Sequence, residues 1–208
     1  MIAVTTVYPI EARWIRRRRG VRLLRTPAGV RSADGLDASF ATETPNLLLS
    51  TGFAGGLDAN LDVGSLVLAD AVRHRDTEIV VAEEILDRAR RALERGGHSC
   101  RIGPFVCVEA VADRATKRDL ARSGAVAIDM ESGPLGDWAE RRGIPFLAFR
   151  AVLDPIDVGL PFSMDRPIAM SVARHPFAAL RVGRAAAQAG RALGRALDDL
   201  ISAWEEGR

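Results

Sequence analysis

The sequence predicts an α/β domain built on a largely parallel or mixed β-sheet. Three observations lead to this class: β-branched or apolar runs of strand length, amphipathic helical segments between them, and short links that contain glycine. Strands and helices that alternate in this way form a sheet with helices packed on it. Because the chain has 208 residues and is 48% hydrophobic, it can bury one sizeable core, and we expect a single domain over residues 1–208.

The first quarter of the chain begins with a predicted strand, IAVTTV at Ile2–Val7, and a short helix from Glu11 in EARWIRRRRG. The basic tetrad Arg16–Arg19 is expected to end that helix in solvent, where cations suit the helix dipole. A nucleic-acid surface is the alternative, but it needs a longer basic face, and the net charge is only +2. Residues 27–46 resemble a loop, and the strand at 47–50 is expected to end in the glycine-rich turn STGFAGG.

The rest of the chain alternates strand and helix. Strands are predicted in DVGSLVLADAVR, RIGPFVCVEAV, AVAIDM and IPFLAFRAV, and helices in AEEILDRARRALERGG, DRATKRDLARSG and GPLGDWAERRG. One long amphipathic helix is predicted at about 176–204. Its apolar residues are expected to cover the sheet, and peripheral contact of this basic helix with a membrane surface is the alternative.

Composition narrows the class of protein further. Cys100 and Cys107 are too few for a disulfide framework and lack the spacing of zinc ligands, so we expect reduced thiols in a cytoplasmic protein. The N-terminus has no basic region before its apolar run, as a signal peptide would have. No stretch reaches the roughly 20 apolar residues that a membrane span requires.

Acidic residues follow several of the predicted strands. Glu11, the pair Asp129 and Glu131, and Asp154 all lie at or just beyond a strand end. Ligands of open α/β sheets bind at this edge, and a glycine segment lets backbone N–H groups approach them. Each acid alone is an ordinary helix cap or turn residue, and Asp129 is a good candidate for a cap. Their placement at one edge predicts a ligand site.

Three segments, in order, resemble the nucleoside phosphorylase and nucleosidase superfamily. STGFAGGLDANLDVGSLVLAD is similar to its G-x-A-G-G-L…L-x-x-G-D-[IV]-V signature, AIDMES to its [AV]-x-[DE]-M-E segment, and FRAVLDPID to its R-x-[IV]-[SA]-D-x-x-D segment. The resemblance extends from Ile2 to about Asp157. It implies a three-layer α/β/α sandwich around a mixed, mostly parallel twisted sheet, and an enzyme that breaks the N-glycosidic bond of a nucleoside. Within the superfamily, the sequence is most similar to hopanoid-associated phosphorylases, also described as adenosylhopane nucleosidases.

The resemblance also implies roles for individual residues. Asp154 matches the acid that protonates the departing purine, and Glu11 matches the carboxylate that activates water in nucleosidases. Glu131 matches the residue that binds the ribose hydroxyls, with Met130 against the ribose face. The remaining expected substrate-binding residues are Phe53, Ala54, Gly55 and Val111.

The nucleophile is left open between water and phosphate. Phe53 occupies a position where many relatives have Ser or Thr, and a phenyl ring cannot hydrogen-bond an anion. Residues 27–46 also lack a clear match to the superfamily's G-x-G region. Both departures favour hydrolysis. No cofactor is implied, and inorganic phosphate would be a co-substrate only in a phosphorylase.

The expected substrate is a purine nucleoside, either small or lipid-linked, with hydrolytic release of adenine from a 5′-substituted adenosine such as adenosylhopane in hopanoid biosynthesis. The alternatives are phosphorolysis, a methylthioadenosine or adenosylhomocysteine nucleosidase, and a nucleoside-binding module without catalysis. Four residues are expected to line an apolar mouth for a lipid chain, or else to pack in the core: Phe53, Val111, Phe162 and Met164. The resemblance further implies a homo-oligomer, and no nucleic-acid partner is expected.

Overall fold

A central sheet organises residues 1–159 and 176–206, which are the residues described by the structure, a computed structural model. Within these residues its eight strands are β1 (Ile2–Thr6), β2 (Val21–Arg25), β3 (Leu47–Gly56), β4 (Leu66–His74), β5 (Thr77–Val80), β6 (Cys100–Cys107), β7 (Ala127–Asp129) and β8 (Phe146–Asp154). The helices are α1 (Pro9–Ala12), α2 (Leu36–Ser39), α3 (Glu83–Arg95), α4 (Arg114–Ala121), α5 (Ser132–Glu140) and α6 (Pro176–Glu206), with a short 3₁₀ helix at Gly29–Arg31.

The strand pairing is mixed and mostly parallel. β1 pairs in parallel with β2 and β3, as do β3 with β8, β4 with β6, and β6 with β7. The pairs β3–β7, β4–β5 and β4–β8 are antiparallel. These pairings confirm the predicted α/β class. They also join β3, β8, β4, β6 and β7 into a closed circuit, because β3 pairs with β7 as well as with β8.

Helices pack on both faces of the sheet. One apolar cluster joins α3 and α6 to residues of β1, β3, β4 and β8, and a second joins α2 and α5 to the other side. The apolar face of α6 lies in the first cluster, and its large apolar side chains there are 8% exposed or less: Leu193, Leu197, Leu200, Ile201 and Trp204. The sheet therefore already occupies the face considered for membrane contact. No helix in the described part of the chain is long and apolar enough to span a bilayer.

Near the N-terminus, the structure differs from the sequence-based expectation. Helix α1 ends at Ala12, so the basic tetrad Arg16–Arg19 lies beyond it. Arg16 and Arg18 instead pair with Asp198 of α6, at 3.2 and 3.0 Å. The reason is tertiary: α6 brings a carboxylate to this turn, which local helix propensity cannot anticipate. Strands β2 and β5 were not predicted either.

The glycine segment was also assigned wrongly as a turn. Strand β3 continues through Gly56, because Ser50–Gly55 pairs along β8 and the last two residues pair with β7. A ladder on both sides outweighs the low strand propensity of glycine. The stretch 27–46 is loop-like, as expected, apart from Gly29–Arg31 and α2. Cys100 and Cys107 are free thiols.

Candidate active site

Glu11 is held at the ends of β1 and β3 by backbone hydrogen bonds. Its Oε2 accepts from Val7 N (3.0 Å) and Tyr8 N (2.8 Å), and its Oε1 accepts from Phe53 N (3.0 Å). The side chain is 4% exposed. Burial raises the pKa of Glu11, while these hydrogen bonds and the charge of Arg150 lower it. The result is an oriented, buried carboxyl group at the edge where the sequence predicts a ligand.

Asp129 has a structural role. Its Oδ1 accepts from Ser132 Oγ at 2.6 Å, and its Oδ2 accepts from Arg150 Nη2 at 2.6 Å. Both carboxylate oxygens also lie 3.3 Å from the backbone N of Ser132, the first residue of α5. Asp129 therefore caps α5 and neutralises a buried guanidinium, which agrees with the cap expected from the sequence.

Glu131 follows β7 and precedes α5. Its Oε1 accepts from Gly29 N at 3.0 Å, and its own carbonyl accepts from Ser32 Oγ at 3.3 Å. Burial, reinforced by the negative charge of Asp129, raises the pKa of Glu131 to about 7. Met130 lies beside the same loop, since a Cβ built on Gly29 would be 3.7 Å from Met130 Cε. Part of the loop predicted at residues 27–46 thus packs on the expected ribose-binding pair, Met130 and Glu131.

Asp154 ends β8 and forms a buried ion pair with Lys117 of α4. The Lys117 ammonium group also donates to the carbonyl oxygens of Asp154 (2.9 Å), Val158 (3.1 Å) and Pro155 (3.2 Å). Burial raises the pKa of Asp154 to about 6, against the opposing charge of Lys117. This is the direction that a proton donor requires near neutral pH.

The glycine segment of β3 makes room for these groups. Gly55 pairs with both Asp154 and Ile128, and a Cβ on it would lie 3.0 Å from Lys117 Cε. Ala54 is buried beside Val152 of β8. The backbone of Phe53 serves Glu11, while its half-buried side chain packs against the apolar cluster that contains α6. For Phe53, this packing favours the core alternative over an apolar mouth.

Of the other residues expected at the mouth, the structure describes Val111. Val111 lies half-buried in the loop between β6 and α4. Its role in substrate binding stays a prediction. Phe162 and Met164 lie outside the described residues.

A small polar cavity adjoins Glu11 and Glu131, with a volume of about 10 Å³. Three buried hydroxyl groups that line it have no hydrogen-bond partner among the described residues: Thr5, Thr6 and Thr51. Arg150 also lines it and is 1% exposed, with its Nη2 bound to Asp129 and Ser50. This volume suits about one water molecule, and the lining supplies the polar partners that a buried water needs.

The sequence matches the phosphorylase superfamily over residues 17–201. The chain belongs to this superfamily. The match confirms the resemblance seen in the sequence and, with it, the expected class of enzyme. Within the described residues, no group of three His, Cys, Asp or Glu side chains could hold a metal ion.

Solved structures have the same fold as this superfamily member. A 5′-methylthioadenosine/S-adenosylhomocysteine nucleosidase of Helicobacter pylori aligns with a TM-score of 0.75 at 13% identity, covering 97% of each chain. The futalosine hydrolase of the same organism gives the same values. A 5′-methylthioadenosine/S-adenosylhomocysteine nucleosidase of S. pneumoniae gives a TM-score of 0.71 at 16% identity, covering 98% of this chain and 99% of that one.

Six residues at or beside the site are not predicted from the sequence. Arg150 lies in the FRAVLDPID segment, but the sequence does not predict a role for it. Nor does it predict a role for Tyr8, although burial and the charges of Glu131 and Glu11 raise its phenol pKa. The three threonines gave no signal. Lys117, the only lysine of the chain, likewise has no role predicted from the sequence.

Proposed function

We propose that this member of the phosphorylase superfamily hydrolyses the N-glycosidic bond of a purine nucleoside. The observation that carries the proposal is the cavity shared by Glu11 and Glu131, together with Asp154 at the end of β8, a strand that pairs with β3. Glu11 and Glu131 line one cavity, and the charge of Glu11 contributes to the raised pKa of Glu131. Asp154 lies opposite Gly55 in the ladder, two residues beyond Phe53, whose N–H binds Glu11.

The three carboxyl groups match the needs of an oxocarbenium-like transition state. Asp154, with its raised pKa, donates a proton to the departing base. Glu131 accepts hydrogen bonds from the ribose hydroxyls and stabilises the positive charge that develops on the sugar. Glu11 takes a proton from the attacking water. Met130, soft and adaptable, packs on the sugar face.

Water is favoured over phosphate as the nucleophile by the charges of the site. The small cavity faces two carboxyl groups, Glu11 and Glu131, which repel an anion. The one cationic side chain among its lining residues, Arg150, is already neutralised by Asp129. The names of the structural neighbours, nucleosidases and a hydrolase, also support hydrolysis.

The proposed substrate is a 5′-substituted adenosine, with adenosylhopane as the lipid-linked candidate. Similarity of DMES, GIPFLAFRAVLDP and the terminal helix to the hopanoid-associated group supports it. A small 5′-thio nucleoside is the second candidate, because two of the neighbours named above are methylthioadenosine/adenosylhomocysteine nucleosidases. A homo-oligomer in the cytoplasm completes the proposal.

Parallel incubations with adenosylhopane, methylthioadenosine and inosine, with and without phosphate, test the proposal. Mass spectrometry should detect free adenine from an adenosine substrate at equal rates in both buffers. Base release that strictly requires phosphate would overturn hydrolysis. No free base from any substrate would favour the nucleoside-binding alternative.

A further inference from the structure

Lys117 is a fully buried cation near the site, and the proposed mechanism does not use it. It is 1% exposed, although lysine is almost never buried without a partner. Helix α4, which carries it, begins at the Asp113 cap, where Oδ1 accepts from Thr116 N at 2.8 Å. The helix directs Lys117 under β3, where the absence of a side chain on Gly55 leaves room for its terminal carbons.

The Lys117 ammonium group has more hydrogen-bond acceptors around it than its N–H donors require. Three carbonyl oxygens, of Asp154, Pro155 and Val158, already match its three N–H donors. The Asp154 carboxylate is a fourth acceptor, and it brings the opposite charge into direct contact. Breaking such a buried pair leaves an uncompensated buried charge. The pair therefore couples the charge of Lys117 to the protonation of Asp154.

We propose that Lys117 is a positioning residue for the acid Asp154. Its ammonium group fixes the carboxyl against the 154–158 segment and stabilises the carboxylate that forms during base departure. The inference rests on the proposed function.

The proton account of this step is balanced. As the C–N bond breaks, its electron pair goes to the base, and the Asp154 carboxyl transfers its proton to a ring nitrogen. Water adds its hydroxide to the anomeric carbon and its second proton to Glu11. Asp154 ends as a carboxylate beside Lys117, which keeps all of its protons, and solvent exchange then restores both acids.

Other charges near the pair are exposed or engaged elsewhere. Arg118, the next residue of α4, pairs at the surface with Asp157 at 2.7 Å. Arg114 at the start of α4 approaches Gly159, and Asp113 is the helix cap. On β3, the terminal carbon of Lys117 lies beside Gly55, which carries no charge. Among the described residues, the charge of Lys117 is the one that lowers the pKa of Asp154.

Two uncharged variants and one charged variant test the inference. Lys117→Met keeps the length without charge, Lys117→Gln keeps donors for the carbonyls, and Lys117→Arg keeps the charge. In both uncharged variants, kcat at pH 7 should fall at least about tenfold, and the alkaline limb of kcat should move up by at least about one pH unit. KM should change less than kcat. Lys117→Arg should restore the position of the limb.

A second measurement is independent of activity. The carboxyl carbon of Asp154, labelled with ¹³C and assigned by its loss in Asp154→Asn, should titrate about one unit higher or more in Lys117→Gln. If the wild-type protein releases no base, the proposed function fails. The titration of Asp154 still tests whether the charge of Lys117 affects its protonation. A pH-independent loss of kcat with wild-type titration of Asp154 would reduce Lys117 to a structural role and overturn the inference.

Discussion

Gly52 and Glu11 occupy adjoining space, so that residue 52 has no room for a side chain. A Cβ on Gly52 would lie 2.6 Å from Glu11 Oε1, and Gly52 has a φ of +145°, which L side chains rarely adopt. The carboxyl can therefore reach the Phe53 N–H only because the preceding residue is glycine.

Gly52→Ala should displace the Glu11 carboxyl and strain the strand. We expect kcat/KM to fall at least about 100-fold, because a small misplacement of a catalytic group has this effect. The free energy of unfolding should fall by about 2–4 kcal/mol. Gly97→Ala is the matched control, since Gly97 also has positive φ (+71°) but no atom within 4 Å of its added Cβ. It should lose stability alone; equal kinetics in both variants would contradict the role of Gly52.

Asp154→Asn should remove the proton donor while keeping the shape of the side chain. Loss of general acid catalysis lowers kcat by about 10²–10⁴-fold. The loss should be much smaller with a riboside of 4-nitrophenol, because that leaving group departs without protonation. Asp157→Asn is the control, since Asp157 pairs with Arg118 at the surface. A full loss of rate with the 4-nitrophenyl substrate would argue that Asp154 acts in some other step.

The pH dependence of kcat/KM follows from two raised pKa values. Asp154, with a pKa of about 6, must be protonated to donate, so activity should fall as pH rises through that value. Glu131, with a pKa of about 7, must be ionised to accept the ribose hydroxyls, so activity should fall as pH drops below it. The pH profile should therefore be bell-shaped, with its maximum between about pH 6 and pH 7. Even at the maximum, only a minority of molecules have Asp154 protonated and Glu131 ionised at the same time. Steady-state kinetics from pH 4.5 to 9 measure it, and Glu131→Gln should remove the acidic limb.

Thr51→Val tests whether the small cavity beside Glu11 holds a water molecule. If the hydroxyl of Thr51 helps to hold a water beside Glu11, we expect kcat to fall about tenfold or more and stability to change little. If the cavity is empty, removing an unpaired buried hydroxyl should instead stabilise the fold by about 1–3 kcal/mol without loss of rate. Thr77→Val on β5 is the control, since the Thr77 hydroxyl donates to the His74 carbonyl of β4 at 2.8 Å.

The acids of the site could be predicted from the sequence because motif spacing carries them. In the structure Glu11 and Glu131 line one cavity, and Asp154 is the last residue of β8. Most strands and helices could also be predicted, because the spacing of their apolar residues is a local pattern. The short strand β2 was not, because its five residues, VRLLR, do not alternate between apolar and polar side chains and none is fully buried.

Partners that are distant in the chain could not be predicted. Lys117 meets Asp154 across 37 residues, and Gly29 meets Glu131 across 102. The continuation of β3 through its glycines depends on ladders with β7 and β8, which come more than 70 residues later. These contacts exist only once the sheet has formed, so no local pattern of residues indicates them.

The closed circuit of strands makes the spacing of the acid and the sugar-binding carboxyl a property of the backbone. Gly55 is hydrogen-bonded to the strand that ends in Asp154 and to the strand that leads into Glu131. Neither strand can slide without breaking the ring on both sides. Adaptation to a new nucleoside would therefore change the loops around the sheet. The spacing of the two strands that pair at Gly55 would stay the same.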